Sequence, residues 1–140
     1  MKLIVDSCVA VKWAFKEEFS GQALLLSNGN YDLMAPDFFL FEVSNVIWKK
    51  SLKEEMPLLD SLNVFNSIID HFIEFIDTKQ FLKQSISLAI QYQHPVYDCV
   101  YMVTALEFQI PLITADKRLF ELGKKSLPPN QIHWIGNPIP

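Results

Sequence analysis

Four acidic side chains, far apart in the chain, occupy positions from which they could act together. Asp6 ends the apolar run KLIV, and Asp116 lies two residues beyond the run PLIT. Glu42 lies one turn into a predicted helix, and Asp98 lies in the first turn of another helix that begins near Pro95. Because parallel strands end at a common sheet edge, where ligands bind in such folds, we expect the four carboxylates to share one pocket.

A pocket of this kind would need a cation. Two carboxylates about 4 Å apart repel each other by about 4 kcal/mol at an effective dielectric constant of about 20. Four ionised carboxylates therefore require either a compensating cation or strongly raised pKa values. Oxygen ligands without nearby His or Cys favour Mg²⁺ or Mn²⁺ over zinc. A bound cation would also allow a chain with a formal charge of −4 to bind a phosphodiester.

Each acid also has a purely structural interpretation. Asp6 could be a turn residue, and Asp98 and Asp116 could be acids at helix N-termini, favoured by the helix dipole. Glu42 could lie on a solvated helix face together with Asn45. These interpretations are the simpler ones when the acids are taken singly. Together they give no reason for strand-end acids to accompany an acid inside a helix rich in Phe, Val and Ile.

The composition of the chain limits the class of protein to which it can belong. A chain of 140 residues, half of them hydrophobic, fits one domain with a sizeable core. No stretch approaches the roughly 18 apolar residues of a membrane helix, and no signal-peptide cleavage site follows Asp6. We therefore expect a cytoplasmic protein. Cys8 and Cys99 form neither a disulfide framework nor a CxxC metal site, and we interpret them as buried small side chains.

The elements that must position the acids are predicted to alternate between strands and helices. Strands are predicted at 2–6, 31–35, 72–77, 111–114 and 132–135. Helices are predicted at 7–15, 19–28, 37–52, 57–70, 79–93, 96–108 and 116–123. Apolar strands that alternate with helices indicate an α/β fold with a parallel sheet covered on both faces. We predict one domain at 1–135 and a loose C-terminal tail at 136–140.

Four segments resemble, in order and at about the right spacing, the successive motifs of PIN domains. They are VDSCVAVKW at 5–13, APDFFLFEVSNVIWK at 35–49, HPVYDCVYMVTA at 94–105 and LITADKRLF at 112–120. The pattern is most similar to that of VapC-type toxins from type II toxin–antitoxin pairs. The resemblance implies a three-layer α/β/α sandwich with a parallel sheet of four or five strands. It also implies a Mg²⁺- or Mn²⁺-dependent endoribonuclease, an RNA substrate, an antitoxin partner and a homodimer.

The resemblance also assigns roles to individual positions. It places the metal-binding and catalytic quartet at Asp6, Glu42, Asp98 and Asp116. It places side chains that hold carboxylates or water at Ser7, Asn45 and Thr114. The implied chemistry is attack on phosphorus by a water molecule that a metal ion activates. Lys117 and Arg118 stand where some relatives carry a further acid, so the number of ions stays open between one and two.

Two other functions remain open from the sequence. A catalytically silent PIN-like module would bind RNA or an antitoxin without cutting. A receiver-like phosphoacceptor domain also gathers acids at strand ends, and Asp6 and Asp77 would suit it. That class, however, requires paired acids after the first strand, where this chain has Ser7 and Cys8.

Several further polar residues are given structural interpretations. Three histidines share no ligand spacing and are assigned to packing or the surface: His71, His94 and His133. Tyr97 and Tyr101 flank Asp98 and could stack on RNA bases, although packing is the simpler interpretation. Five lysines could line an RNA groove but also suit ordinary polar helix faces: Lys12, Lys16, Lys49, Lys50 and Lys53.

Overall fold

The computed structural model describes residues 1–140 and contains one five-stranded parallel sheet. The strands are β1 Lys2–Val5, β2 Asp32–Pro36, β3 Phe72–Ile76, β4 Leu112–Thr114 and β5 Ile132–Trp134. Their order is β3-β2-β1-β4-β5, and every neighbouring pair is parallel. The predicted parallel sheet is therefore confirmed.

Seven helices connect the strands. They are α1 Ser7–Ala10, α2 Ser20–Leu26, α3 Phe39–Lys53, α4 Leu58–Ile69, α5 Leu82–Tyr92, α6 Val96–Phe108 and α7 Lys117–Ser126. The first predicted helix, at 7–15, is shorter than expected, because α1 tightens into a 3₁₀ turn over Val11–Trp13. Its β-branched Val9 and Val11 lower helix propensity, which is consistent with the early end of the regular helix.

The sheet separates two apolar cores, so the molecule has three layers. Leu3 and Val5 of β1 point to one face, where helices α1 to α4 pack. Ile4, between them, points to the opposite face, where α5, α6 and α7 pack. This alternation follows from strand geometry, in which successive side chains project to opposite sides. The expected α/β/α arrangement is thus present, with helices packed on both faces of the sheet.

Helix α6 lies deepest in the molecule. Seven consecutive residues, from Cys99 to Ala105, are buried, so the helix is enclosed on all sides over about two turns. It begins directly after Pro95, whose fixed φ suits the start of a helix. Asp98 lies in its first turn and is the acidic residue nearest to its N-terminus.

The last residues contact the body of the domain. Ile139 packs against the core on the α1–α4 face, and the Tyr31 hydroxyl donates a hydrogen bond of 2.8 Å to the Pro140 carbonyl. Gly136 lies close to Trp134 and Phe19, so that a Cβ at this position would come within 3 Å of both rings. Where the domain ends, at 135 or beyond, stays a prediction. None of the helices is long and apolar enough to span a bilayer.

Candidate active site

Asp6 and Asp116 lie at the carboxyl ends of two neighbouring strands. Asp6 follows β1 directly, and Asp116 lies two residues after β4, which pairs with β1 at Val5 and Ile113. Each acid also caps the helix that follows its strand. The Asp116 carboxylate accepts the backbone N–H groups of Arg118 and Leu119 at 2.8 and 3.2 Å, as expected for an N-cap acid. Each of these two acids therefore lies at the end of a strand and also caps the helix that follows.

The Asp6 carboxylate is only 6 % exposed and is surrounded by hydrogen-bond donors. The Thr114 hydroxyl donates to it at 2.7 Å, the Cys8 thiol at 2.9 Å and the Ser7 hydroxyl at 3.4 Å. Thr114 in turn accepts the backbone N–H of Asp116 at 2.9 Å. The structure thus brings Ser7 and Thr114 into contact with Asp6, and the Thr114 hydroxyl links the two strand-end acids.

Glu42 lies in the first turn of α3 and is held by a hydroxyl from α6. The Tyr101 hydroxyl donates to Glu42 Oε1 at 2.7 Å and accepts the backbone N–H of Ser7 at 3.4 Å. Tyr101 is completely buried, so it cannot stack on an RNA base, and packing is the correct interpretation for this residue. Its hydroxyl therefore joins α3, α6 and the start of α1 at the site.

Asp98 has a partner of its own. His94 Nε2 lies 2.7 Å from Asp98 Oδ2, and the His94 side chain is nearly buried.

Asn45, one turn after Glu42, is exposed and makes no hydrogen bond with any of the four acids. Its predicted role in holding carboxylates or water stays a prediction without a contact to support it.

The raised pKa values of Asp6, Glu42 and Asp98 indicate that burial and neighbouring negative charges disfavour their ionised forms. Burial, with Asp6 and Asp98 adding to it, raises the pKa of Glu42 to about 7, although the Tyr101 and Ser7 hydroxyls oppose the rise. Burial also raises the pKa of Asp6, and the nearby Asp98 adds to this effect. The pKa of Asp98 is raised by burial and by Asp116, while His94 and Arg118 oppose the change. Because these carboxylates share one negative electrostatic field, ionisation of all of them is unfavourable unless a cation binds there.

The chemistry and the charge of the side chains at this site suit a divalent cation. Carboxylate and hydroxyl oxygens are the ligands that hard cations prefer. No three Asp, Glu, His or Cys side chains, however, converge closely enough to surround a single ion. Each of the four carboxylates also has a hydrogen-bond partner within the protein. The residues therefore suit a cation by their chemistry, although their carboxylates do not surround a common point.

The sequence of residues 3–125 matches the family model of the PIN domain. The chain belongs to the PIN domain family. The strand order of this PIN domain also excludes the receiver-like alternative, since receiver domains have the order 2-1-3-4-5.

Comparison with individual proteins places this PIN domain among relatives of similar length. It is 27 % identical over 123 residues to Ribonuclease VapC3 of Pyrobaculum aerophilum, covering 86 % of this chain and 94 % of the relative. PAE2754 from Pyrobaculum aerophilum shares the fold with a TM-score of 0.69 at 15 % identity, with 97 % of this chain and 93 % of that chain covered.

Two further solved structures share the fold. VapBC2 from Rickettsia felis, bound to a DNA fragment from its promoter, matches with a TM-score of 0.65 at 13 % identity, covering 96 % of this chain and 98 % of that chain. A toxin–antitoxin complex from Klebsiella pneumoniae matches with a TM-score of 0.60 at 16 % identity, covering 94 % and 95 %. At these identities the structures confirm the α/β/α fold of the PIN domain and no more than the fold.

Three side chains contact the acids of the PIN domain although the sequence gives them other roles: Cys8, His94 and Tyr101. His94 was assigned to packing or the surface, but its spacing of four residues from Asp98 was a usable signal. Cys8 was interpreted as a small core residue, yet its thiol contacts Asp6 and accepts the Ala115 N–H at 3.3 Å. Burial, with Asp6 adding to it, raises the pKa of Cys8 well above its ordinary value, so the thiol keeps its proton and donates.

Replacing Tyr101 by Phe tests the link between α6 and α3. The Tyr101→Phe variant loses the donor to Glu42 and leaves the Ser7 N–H without its acceptor. We expect the free energy of unfolding to fall by about 1–2 kcal/mol in urea titrations. Tyr97 is 65 % exposed on the same helix, and Tyr97→Phe should change stability by less than about 0.5 kcal/mol. Equal effects of the two substitutions would contradict a structural role for the Tyr101 hydroxyl.

Proposed function

We propose that this PIN domain is a Mg²⁺- or Mn²⁺-dependent endoribonuclease and the toxin of a type II toxin–antitoxin pair. The observation that carries the proposal is the shared negative field of four acids at one sheet edge, in which Glu42 reaches a pKa of about 7. Such a field is unfavourable for the empty protein and favourable for a divalent cation. A cation there would also draw in the phosphates of RNA, which the net charge of −4 repels.

The residues of the chain have distinct tasks in this proposal. Four carboxylates would hold one or two ions: Asp6, Glu42, Asp98 and Asp116. When bound, such an ion supplies a water of lowered pKa and stabilises negative charge on the phosphate. Thr114, Ser7 and Cys8 fix the Asp6 carboxylate through their hydrogen bonds. Tyr101 orients Glu42 in the same way, and groups that orient ligands in this manner strongly affect metal sites.

Partners are proposed on two grounds. The relatives include a protein named a ribonuclease and a structure described as a toxin–antitoxin complex, which supports RNA as substrate and an antitoxin as partner. The surface also carries large exposed apolar side chains, which monomeric proteins seldom group together. One group lies on α3 and α4 and another on α5: Phe41, Trp48, Leu52, Leu58, Leu59, Leu62, Leu82, Ile86 and Ile90. An antitoxin and a second copy of the chain would cover these faces in the cytoplasm.

One observation favours the silent-module alternative. No three potential ligands converge on a single point, as a preformed metal site would require. A silent module would still bind RNA or an antitoxin, but it would cut no phosphodiester under any condition.

An RNA cleavage assay distinguishes the two functions. The purified chain is incubated with total RNA in Mg²⁺, in Mn²⁺ and in EDTA. We expect discrete fragments in either metal, with 5′-phosphate and 3′-hydroxyl ends, because attacking water breaks the bond to the 3′-oxygen. A 5′-phosphate-dependent exonuclease should then degrade the downstream fragments. Intact RNA in both metals would support the silent module and reject the nuclease.

A further inference from the structure

A cavity of about 420 Å³ adjoins the candidate active site and is not accounted for by the four acids. Its lining residues are Lys12, Glu18, Phe19, Ala115, Lys117 and Trp134. Ala115 lies between Thr114, which bonds Asp6, and Asp116, so the cavity and the acidic site share a wall. Its volume lies in the range of pockets that hold small organic ligands, roughly 300–1,000 Å³.

Positive charge predominates in this cavity. Lys117 directly follows Asp116, is exposed and has no carboxylate within ion-pair distance. Lys12 pairs with Glu17 at 3.2 Å, but Glu17 also pairs with Lys50 at 3.2 Å. The group formed by Lys12, Lys50 and Glu17 therefore carries one net positive charge. Glu18 adds a single negative charge to the lining, so the cavity remains cationic beside an acidic site.

An aromatic surface forms another side of the cavity. The Trp134 ring packs edge-on against Phe19 at 5.7 Å between centroids and makes a tilted contact with Phe120 at 5.9 Å, and these contacts restrict its orientation. Phe19 adopts a left-handed backbone conformation with φ of 65°, which is uncommon for a bulky residue and tends to occur at functional sites. A Cβ at Gly136 would lie 2.6 Å from Trp134 Nε1, so glycine is required for this ring position.

We propose that the cavity binds one nucleotide of the RNA strand, adjacent to the phosphate that the acids engage. Its base stacks on Trp134, and its phosphate contacts Lys117 and Lys12. An aromatic surface combined with local positive charge is the combination by which single-stranded nucleic acids are bound. The inference rests on the proposed function, because it takes RNA as the substrate of the neighbouring acids. It explains why an acidic chain carries the unpaired Lys117 directly beside the four acids.

Binding of a short fluorescent single-stranded RNA, measured by anisotropy in Mg²⁺ at several salt concentrations, tests the subsite. All proteins carry Asp98→Asn, so that the RNA stays intact. Adding Trp134→Leu should weaken affinity by roughly 5- to 100-fold through lost base stacking. Adding Lys117→Gln should reduce the slope of log affinity against log salt by about 0.7, which corresponds to one phosphate contact. Lys125→Gln, about 12 Å further along α7, is the matched control and should change neither quantity.

The outcomes separate the subsite from the function on which it rests. If Lys117→Gln leaves the salt slope unchanged, or if Trp134→Leu binds as tightly as the parent, the subsite is overturned while the nuclease proposal stands. If the parent binds no RNA, the subsite is overturned, and if the wild-type chain also cuts no RNA in Mg²⁺ or Mn²⁺, the proposed function is rejected with it. Lys117 is exposed, so its substitution decides the question without disturbing the fold. Trp134→Phe, which keeps an aromatic ring, should retain most of the affinity and confirms that loss in Trp134→Leu reflects stacking.

Discussion

Asp6→Asn is expected to reduce RNA cleavage by roughly 10³-fold or more while leaving the chain at least as stable as the wild type. The activity should be lost because the amide cannot serve as an anionic ligand. Stability should be kept because the Asp6 carboxylate is buried and its pKa is raised by that burial, so its ionised form destabilises the folded protein. The amide keeps an oxygen that can accept the Cys8 backbone N–H.

Asp77→Asn provides the matched control for this experiment. Asp77 also follows a strand, β3, but it is exposed, and its carboxylate accepts only the backbone N–H of Lys79. Its substitution should leave cleavage within about twofold of the wild type, since surface changes away from a site have small effects. Cleavage rates are measured on one RNA, and unfolding temperatures are measured in EDTA. An Asp6→Asn variant that cuts RNA at the wild-type rate would reject the assignment of the acids.

Divalent cations are expected to control both activity and stability. EDTA should stop cleavage completely, and Mg²⁺ or Mn²⁺ should restore it. Because the ion binds the folded chain and relieves repulsion among the acids, a concentration of Mn²⁺ of about 100 times its dissociation constant should stabilise the fold by about 2.7 kcal/mol. For a chain of this length, that corresponds to a rise in the unfolding temperature of roughly 9 °C.

The Asp6→Asn and Glu42→Gln variants serve as controls for the metal effect. Each removes one carboxylate from the shared field, so the rise in unfolding temperature with Mn²⁺ should be clearly smaller in each. Calcium-free buffer with sodium chloride at matched ionic strength excludes general screening as the cause. Metal dependence would be contradicted if cleavage persisted in EDTA. It would also be contradicted if Mn²⁺ did not change the unfolding temperature of the wild type.

The sheet and the strand-end acids were predictable because their causes are local. Apolar runs such as KLIV and PLIT specify buried parallel strands, and the first one or two residues after each run must lie at the sheet edge. Asp6 and Asp116 therefore could be placed without knowledge of packing. Ser7 and Thr114, by contrast, are assigned to the site by the resemblance to PIN domains, and their contacts with Asp6 come from the structure.

The contacts of Tyr101 and Cys8 depend on packing between distant elements and could not be read from spacing. Tyr101 reaches Glu42 across 59 positions in the chain, through the approach of α6 to α3. Cys8 reaches Thr114 across 106 positions, because β1 pairs with β4. The positive φ of Phe19 has no sequence signal either, since the left-handed region usually indicates Gly or Asn. Side-chain identity alone therefore places the acids but leaves most of their partners undetermined.

The enclosure of α6 determines how much the acids can move relative to one another. Sliding or rotating this helix would open voids in a close-packed interior on several sides at once, and such interiors resist deformation. Asp98 and Tyr101, three residues apart on it, keep a nearly constant separation along the helix axis of about 4.5 Å. The close packing of the interior therefore fixes the positions of these side chains at the sheet edge. Any adjustment to a substrate of different size is expected at the ends of α3 and α7, which are half-exposed.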